Sequence, residues 1–494
     1  MNQYTWIVYV GGLFSFIASM GIGANDVANS FATSVGAKSL TIKQAVILAC
    51  IFETSGAILM GSHVSETIRK GIADYECFQD DPYTLMYGCM WVCFSVASWL
   101  FTASYLEMPV STTHSCIGGM IGMTIAIKGS DCVIWYKSRD TFPYVGGVFG
   151  MVLSWFISPI LSGIISSSLY SIIRVTILRK KYEDKYIYYG FPLLVGITMV
   201  LNSFFIFYKG AKGIGLDDTP IGIVIGISFG IGILSGLLTL PALPRIYNYI
   251  NTKPSITEIQ VVDLETNSSE IIEIESENPK TLYDKIVNIN INNFDKIDAK
   301  DTSIINALND NAEAFDPRTE EFFKYLQVFS ASCSAFSHGA NDVANAMGPF
   351  AAILTIYWEG DVRKNSVMDN NAYWILSLGG IGISLGLLLY GYRIIRAIGM
   401  KLCKITPARG TVIELSAALV TIFGSRLKIP LSTTHCQIGA ICGVGVLEGS
   451  WNDNVSGINK KIIYKTLFGW IATCIFVGIV TGILTAQGIY SPTL

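Results

Sequence analysis

Charge is what this chain of 494 residues has least of. Asp, Glu, Lys and Arg together make up 14%, where soluble proteins carry about 25%. With hydrophobic residues at 51% and a mean hydropathy of +0.48, its repeated apolar runs of about 20 residues exclude a large soluble protein. The eleven cysteines include no CxxC pair and no zinc-like spacing, so most read as small buried hydrophobes. Cys77 and Cys132 fall in two loops on one side of the expected topology, which leaves room for a single disulfide. Only four histidines are present, and no Gly-x-Ser-x-Gly elbow accompanies them, which argues against a hydrolase. No His or Cys cluster marks a catalytic metal. The start, Met1-Asn-Gln-Tyr-Thr-Trp6, lacks the basic residues of a cleaved signal peptide, so the first apolar run reads as a retained helix.

Against this apolar background two polar motifs occur twice. Gly-Ala-Asn-Asp-Val-Ala-Asn stands at Gly23–Asn29 and again at Gly339–Asn345, and Pro109-Val-Ser-Thr-Thr-His114 is matched by Pro430-Leu-Ser-Thr-Thr-His435. Both second copies lie about 320 residues downstream, so the chain consists of two related halves. An Asp at bilayer depth costs roughly 2.5–3.5 kcal/mol on insertion scales. Duplicated polar motifs inside membrane segments are the mark of a transporter built from internal repeats.

Twelve membrane segments are expected, near 5–23, 43–61, 84–105, 110–127, 144–172, 187–208, 221–240, 322–337, 373–395, 407–425, 431–447 and 463–486. The polar, Asn- and Glu-rich stretch between them divides the chain into a membrane half 1–244, a largely disordered cytoplasmic linker 245–321 and a second membrane half 322–494. The heptapeptides follow segments one and eight, and the Ser-Thr-Thr motifs begin segments four and eleven. An odd offset of seven segments reverses the direction of each second copy. The predicted fold is therefore an all-α integral membrane protein with two inverted-topology repeats, re-entrant helical hairpins being left open as a local variation. Arg174, Arg179, Lys180, Lys181, Lys185, Arg393, Arg396, Lys401, Lys404, Arg409, Lys460 and Lys461 gather on one side. The positive-inside rule makes that side cytoplasmic and puts both termini outside.

The motifs carry different chemistries. On a helix Asn25 and Asn29, like Asp26 and Asn29, share a face, and Ser30 and Thr33 continue it. Asp carboxylates with Asn carbonyls form an all-oxygen set suited to a hard cation. Helix–helix glue would explain one such motif but explains two, each with an Asp, poorly. Ser111-Thr112-Thr113 and Ser432-Thr433-Thr434 follow prolines at helix starts, where hydroxyls, free N–H groups and the dipole suit an oxyanion. Simple N-capping is the bland alternative. Two further acids lie in mid-membrane: Glu53, one helix after its heptapeptide, and Glu414, two helices after its own. Each has three options open to it: a cation, a proton, or a partner such as Arg409.

At these residues the chain resembles the PiT family of inorganic phosphate transporters, in particular its sodium-dependent eukaryotic branch. The matching stretches are Gly23–Gly36, Phe52-Glu-Thr-Ser-Gly-Ala57, His338–Ala346 and Pro430–Cys436. The resemblance covers both membrane halves and omits the linker. It implies phosphate and sodium bound between the halves, with Ser111, Thr112, Thr113, Ser432, Thr433, Thr434, Asn25 and Asn341 at phosphate. It implies sodium at Asp26, Asn29, Asp342, Asn345, Glu53 and Glu414, with no other metal and no cofactor. Ala346 stands where the first half has Ser30, so the two ion shells are expected to differ. The expected function is sodium-coupled phosphate import by alternating access at the plasma membrane, with the bilayer and a homodimer as partners and no nucleic acid. A proton-coupled phosphate or sulfate carrier, or a phosphate sensor that transports nothing, are the rivals.

Overall fold

Capping chemistry in the sequence sets where several helices start. Thr41 and Gln44 form a capping box ahead of α3, Asp81 caps α4 with Pro82 as its first residue, and Asp316 with Pro317 does the same for α11. In each case a side-chain oxygen takes an N–H that the helix cannot use. The computed structural model describes residues 3–138, 140, 144–209, 219–252, 299–310, 312–362, 373–426, 431–448 and 457–491. In chain order the helices are α1 (Thr5–Ile22), a π turn Gly23–Val27, α2 (Ala28–Gly36), α3 (Ile42–Ile72), α4 (Pro82–Tyr105), α5 (Thr112–Lys128), α6 (Gly147–Ile173), α7 (Glu183–Lys209), α8 (Ile221–Thr239), α9 (Leu243–Thr252), α10 (Ala299–Asp310), α11 (Pro317–Glu359), α12 (Tyr373–Tyr390), α13 (Tyr392–Gly399), α14 (Pro407–Arg426), α15 (Thr433–Glu448) and α16 (Lys460–Tyr490).

Among the described residues seven helices are long and apolar enough to cross a bilayer, or eight if the α12–α13 pair, bent by 71°, counts as one span. That is fewer than the twelve segments expected from the sequence, for physical reasons. Helices α5 and α15 have only 17 and 16 residues, short of the roughly 20 a full crossing needs, and α11 carries the polar heptapeptide at its middle.

The two halves are laced together. Helix α11 packs along α3, and the α1–α2 run packs along α12 and α13; α16 supports α5, and α6 supports α15. The crossings correspond. A Cβ on Gly23 would collide with the Ile383 carbonyl of α12, and one on Gly339 with the Glu53 carbonyl of α3. Only glycine permits such backbone approach. These matched contacts pair Glu53 with Ile383, so the two buried acids are not each other's counterparts: Glu53 sits on α3, Glu414 on α14. Helix α8 packs chiefly on α7 and leaves Ile223, Phe229, Ile233 and Leu237 exposed, as a lipid-facing helix does.

Cys77 and Cys132 are joined in a disulfide. It fastens the turn Tyr75–Phe78 to the turn Ser130–Cys132, beside the short antiparallel pair β1 (Lys137–Ser138) and β2 (Val145–Gly146). Two ionic clasps close other helix ends. In the connector after α4, burial raises the Glu107 carboxyl, but Arg396 at 2.5 Å and Lys401 at 3.0 Å outweigh it and hold the group below the usual carboxylate range. Glu313, ahead of α11, is held low by Arg179 at 2.8 Å, against partial burial, and by Arg174. Its backbone N–H donates to Glu448 at the end of α15, and its carbonyl accepts from the fully buried Arg409, which pairs with Glu448 at 2.9 Å. Both ends of the 245–321 stretch are thus helical or clasped where they are described; residues 253–298 lie outside the described residues.

Candidate functional site

Four elements converge on the two heptapeptides. Helices α5 and α15 begin with Ser111 and Ser432 as caps, each side chain accepting the N–H of the histidine three residues on. Those two hydroxyls hold the first turn, and the threonines do the reaching. The Thr112 N–H donates to Asp26 Oδ2 at 3.1 Å, and the Thr434 hydroxyl from the other half donates to Asp26 Oδ1. The Thr433 hydroxyl donates to Asp342 Oδ2 at 2.7 Å. Asn345 spreads its amide over Asp342 Oδ1 at 3.0 Å, Thr112 Oγ1 at 3.0 Å and Thr113 Oγ1 at 3.4 Å, and Asn341 donates to Asp342 Oδ1 at 3.2 Å. Polar contacts therefore cross between the halves in both directions, from Thr434 to Asp26 and from Asn345 to Thr112 and Thr113.

Asn25 is placed differently. Its amide donates to Ser104 Oγ and the Met108 carbonyl and accepts from the Val110 N–H, so it fastens the α4–α5 connector instead of facing the carboxylates. The side chain of Asn29, and Pro430, lie outside the described residues. Glu414 also stands in a cluster of its own, accepting from Thr33 Oγ1 at 2.6 Å, Ser34 Oγ at 2.8 Å and Ser330 Oγ.

Sequence reasoning undervalued His338, which stands just before the second heptapeptide where Ile22 precedes the first. Buried on α11, it places Nδ1 3.0 Å from Glu53 and Nε2 2.8 Å from Asp342. Ligand atoms of Asp26, His338 and Asp342 all lie within 4.8 Å of one another, and Glu53 Oε1 has no hydrogen-bond partner among the described residues. A signal was available: His338 begins one of the motif stretches, and it is the one place where an imidazole abuts the Asp-bearing repeat. Thr33, expected on the face of Asp26 and Asn29, instead meets Glu414; Gln437, Ser34 and Ser330 had no signal, because single hydroxyls and amides on apolar helices are ordinary.

Electrostatics decide what the site can hold. With Asp26, Asp342 and Glu53 ionised, even a protonated His338 leaves two negative charges in a fully buried place. Such charge persists only if cations compensate it. The adjoining cavity, of about 20 Å³, is lined by Asp26, Ser30, His338, Thr433 and Gln437 among others and contains no Lys or Arg. That is room for one water or a bare cation. An oxyanion needs these walls to part.

Buried carboxylates beside two helix N-termini, in a cavity lined from both parts of the chain and set among seven or eight apolar spans, fit an integral membrane transporter. The comparisons agree. The model described as "Phosphate transporter family" matches residues 22–481. The chain is 29% identical to the phosphate-repressible phosphate permease of Neurospora crassa, over 100% of this chain and 99% of that one. It is 28% identical to a sodium-dependent phosphate transporter of Plasmodium falciparum, over 99% and 98%. A solved structure of a sodium-dependent phosphate transporter superposes with a TM-score of 0.74 at 28% identity, covering 98% of this chain and all of the other. The chain belongs to the phosphate transporter family.

Proposed function

We propose that this protein imports inorganic phosphate together with sodium, by alternating access around the Asp26–Asp342 centre. The observation that carries the reading is the unbalanced buried charge: among the described residues, three carboxylates and one imidazole with no guanidinium or ammonium in the cavity lining. Sodium would neutralise Asp26 and Asp342. The Thr112 N–H and the threonine hydroxyls, released from the carboxylates, would then be free to hold phosphate at the N-termini of α5 and α15. A site that lets its positive charge arrive with the cargo cannot bind the anion alone, which is how binding becomes coupling.

On this reading the halves 1–244 and 322–494 are inverted-topology repeats around the centre, the stretch 245–321 is cytoplasmic, both termini are outside and the protein resides in the plasma membrane. Its exchanged supports, α16 beneath α5 and α6 beneath α15, support this two-fold relation. With two sodium ions per monovalent phosphate, one net charge enters per cycle, worth about 2.3 kcal/mol per 100 mV. The test is uptake of labelled phosphate by liposomes containing only this protein, with sodium, lithium, choline and pH varied. Saturable, sodium-dependent uptake with an inward current is expected. Full uptake in choline driven by a proton gradient alone would overturn sodium coupling, and competition by sulfate would overturn phosphate selectivity. Phosphate binding without uptake would mark a sensor.

A further inference from the structure

Directly behind the two Ser-Thr-Thr motifs lies a four-ring stack in which His114, His435 and Trp470 are buried and Trp155 is half-buried. His114 lies against Trp155 of α6 with ring centroids 3.6 Å apart, His435 lies against Trp470 of α16 at the same distance, and the two imidazoles meet edge to face at 4.5 Å. Each histidine reaches across to the tryptophan that the other one stacks on. His114 Nδ1 is 3.2 Å from the Trp470 carbonyl, and His435 Nδ1 is 3.1 Å from the Trp155 carbonyl. A carbonyl oxygen can only accept, so Nδ1 of each ring carries the proton and donates. The Trp155 carbonyl is open to this because Pro159, four residues on in α6, has no N–H to offer it.

We propose that His114 and His435 are positioning residues for transport: their crossed Nδ1–H···O=C bonds couple the N-termini of α5 and α15 through α16 and α6, so that the two phosphate half-sites shift as one. The inference rests on the phosphate reading of those N-termini. Nothing else in the stack requires histidine. Phenylalanine would fill the same space, and the imidazole differs from it here only in the donor aimed at the opposite helix. Both rings directly follow the Ser-Thr-Thr triplets that touch Asp26 and Asp342, so a small rotation of either imidazole is passed to the N–H of Thr112 or the hydroxyl of Thr433.

The test is a pair of substitutions at each histidine in the full-length protein in liposomes. His114→Phe and His435→Phe keep a ring and lose the donor; His114→Asn and His435→Asn keep a donor in the Nδ1 position and lose the ring. Each Phe variant should raise the phosphate KM by roughly tenfold, with sodium half-saturation unchanged at saturating phosphate, and each Asn variant should stay within about threefold of wild type. The double Phe variant should be little worse than either single one, because one crossed pair is already broken. Asn variants worse than Phe, a fall in kcat with KM unchanged, or additive losses would overturn the proposal in favour of plain packing. Should the Phe proteins fail to fold, the Asn proteins decide alone: a tenfold rise in their KM overturns it. If wild-type liposomes take up no phosphate, the reading of the site fails; if they do and the variants match them, only this inference fails.

Discussion

The heptapeptide Gly23–Asn29 passes through a π-helical turn, whereas its copy Gly339–Asn345 continues a regular α-helix of 43 residues. Seven identical residues thus have two backbone geometries, and their neighbours account for it. A π turn adds a residue to the helical period and rotates the residues beyond it by about 100°. Through that turn Asn25 meets Ser104 in the last turn of α4 and two backbone groups of the α4–α5 connector, while Asp26 still reaches the Thr112 N–H. In the second copy Asn341 turns instead to its own Asp342, and His338 supplies the outside partner. One duplicated sequence therefore makes two unlike half-sites: both meet helix N-termini, but only the second adds an imidazole, His338, which bridges Asp342 to Glu53.

The largest effects should come where the halves still agree, at the two Asp. Asp26→Asn and Asp342→Asn keep size and one oxygen but remove the charge that holds a cation, while a neutral amide is cheap to bury. Each should lower kcat/KM for phosphate by on the order of a hundredfold, about 2.7 kcal/mol, and raise the sodium needed for half-maximal uptake, in protein that still elutes as a folded species. Wild-type sodium dependence in both variants would return these residues to the role of helix glue. By contrast, Thr112→Val and Thr433→Val each remove a hydroxyl and no charge. They should weaken phosphate by about tenfold at saturating sodium and leave the sodium response alone.

A sharper cut through the comparison is the Asn pair. Asn25→Ala leaves the buried Val110 N–H and Met108 carbonyl without their side-chain partner, which costs about 1–3 kcal/mol. Asn341→Ala removes a single bond to Asp342 and should cost less than about 1 kcal/mol. Thermal melting in detergent should rank them in that order. Equal shifts would mean that the π turn and the α-helix present their Asn residues to equivalent surroundings after all.

Much of this was legible in the sequence. The two motif pairs converge in the structure, the polar residues in apolar runs marked a membrane protein, and the placing of Cys77 and Cys132 left room for the disulfide the structure forms. What stayed hidden depends on tertiary partners. No local rule distinguishes the π turn from the α-helix when the residues are the same. Glu53 and Glu414 look alike in a linear pattern, and only the glycine crossings separate them, by pairing Glu53 with Ile383. The 71° bend between α12 and α13 falls at Gly391, where the apolar run ends in Tyr392-Arg393, and hydropathy registers the end of a span but not a turn. A polar composition also disguised the helices α9 and α10 and the clasp at Glu313.

That clasp sets the next effect down. Because Arg179 and Arg174 hold the Glu313 carboxyl below its usual range, the bond stabilises the fold above the ordinary Glu value of about 4.3 and is lost as pH falls through the lower folded value. Glu313→Gln should therefore melt earlier than wild type at pH 7, by roughly a degree or two given that the pair is partly solvated. The two proteins should converge only once the pH has fallen below that lower folded value. A gap that widened on acidification would place the group's stabilising form on the wrong side of the titration.

The smallest effect is expected from the stretch that separates the halves. Its composition, rich in Asn, Asp, Glu and Lys with few aromatics, cannot bury a core of its own, and neither motif pair lies within it. A cut from about Asn251 to Glu313 would nevertheless remove α10 and Glu313, whose carboxylate pairs with Arg174 and Arg179 just beyond α6 and whose backbone meets Glu448 at the end of α15 and Arg409 of α14. The informative deletion is narrower, residues 253–298 replaced by a short Gly/Ser bridge that keeps α9, α10 and Glu313. Phosphate KM and sodium half-saturation in liposomes should stay within about twofold of wild type, since the exchange of supports between the halves runs through helices, not through this connection. A deletion protein that folds but takes up no phosphate would make the stretch part of the transport unit. The two unlike half-sites would then owe their pairing to a tether as well as to packing.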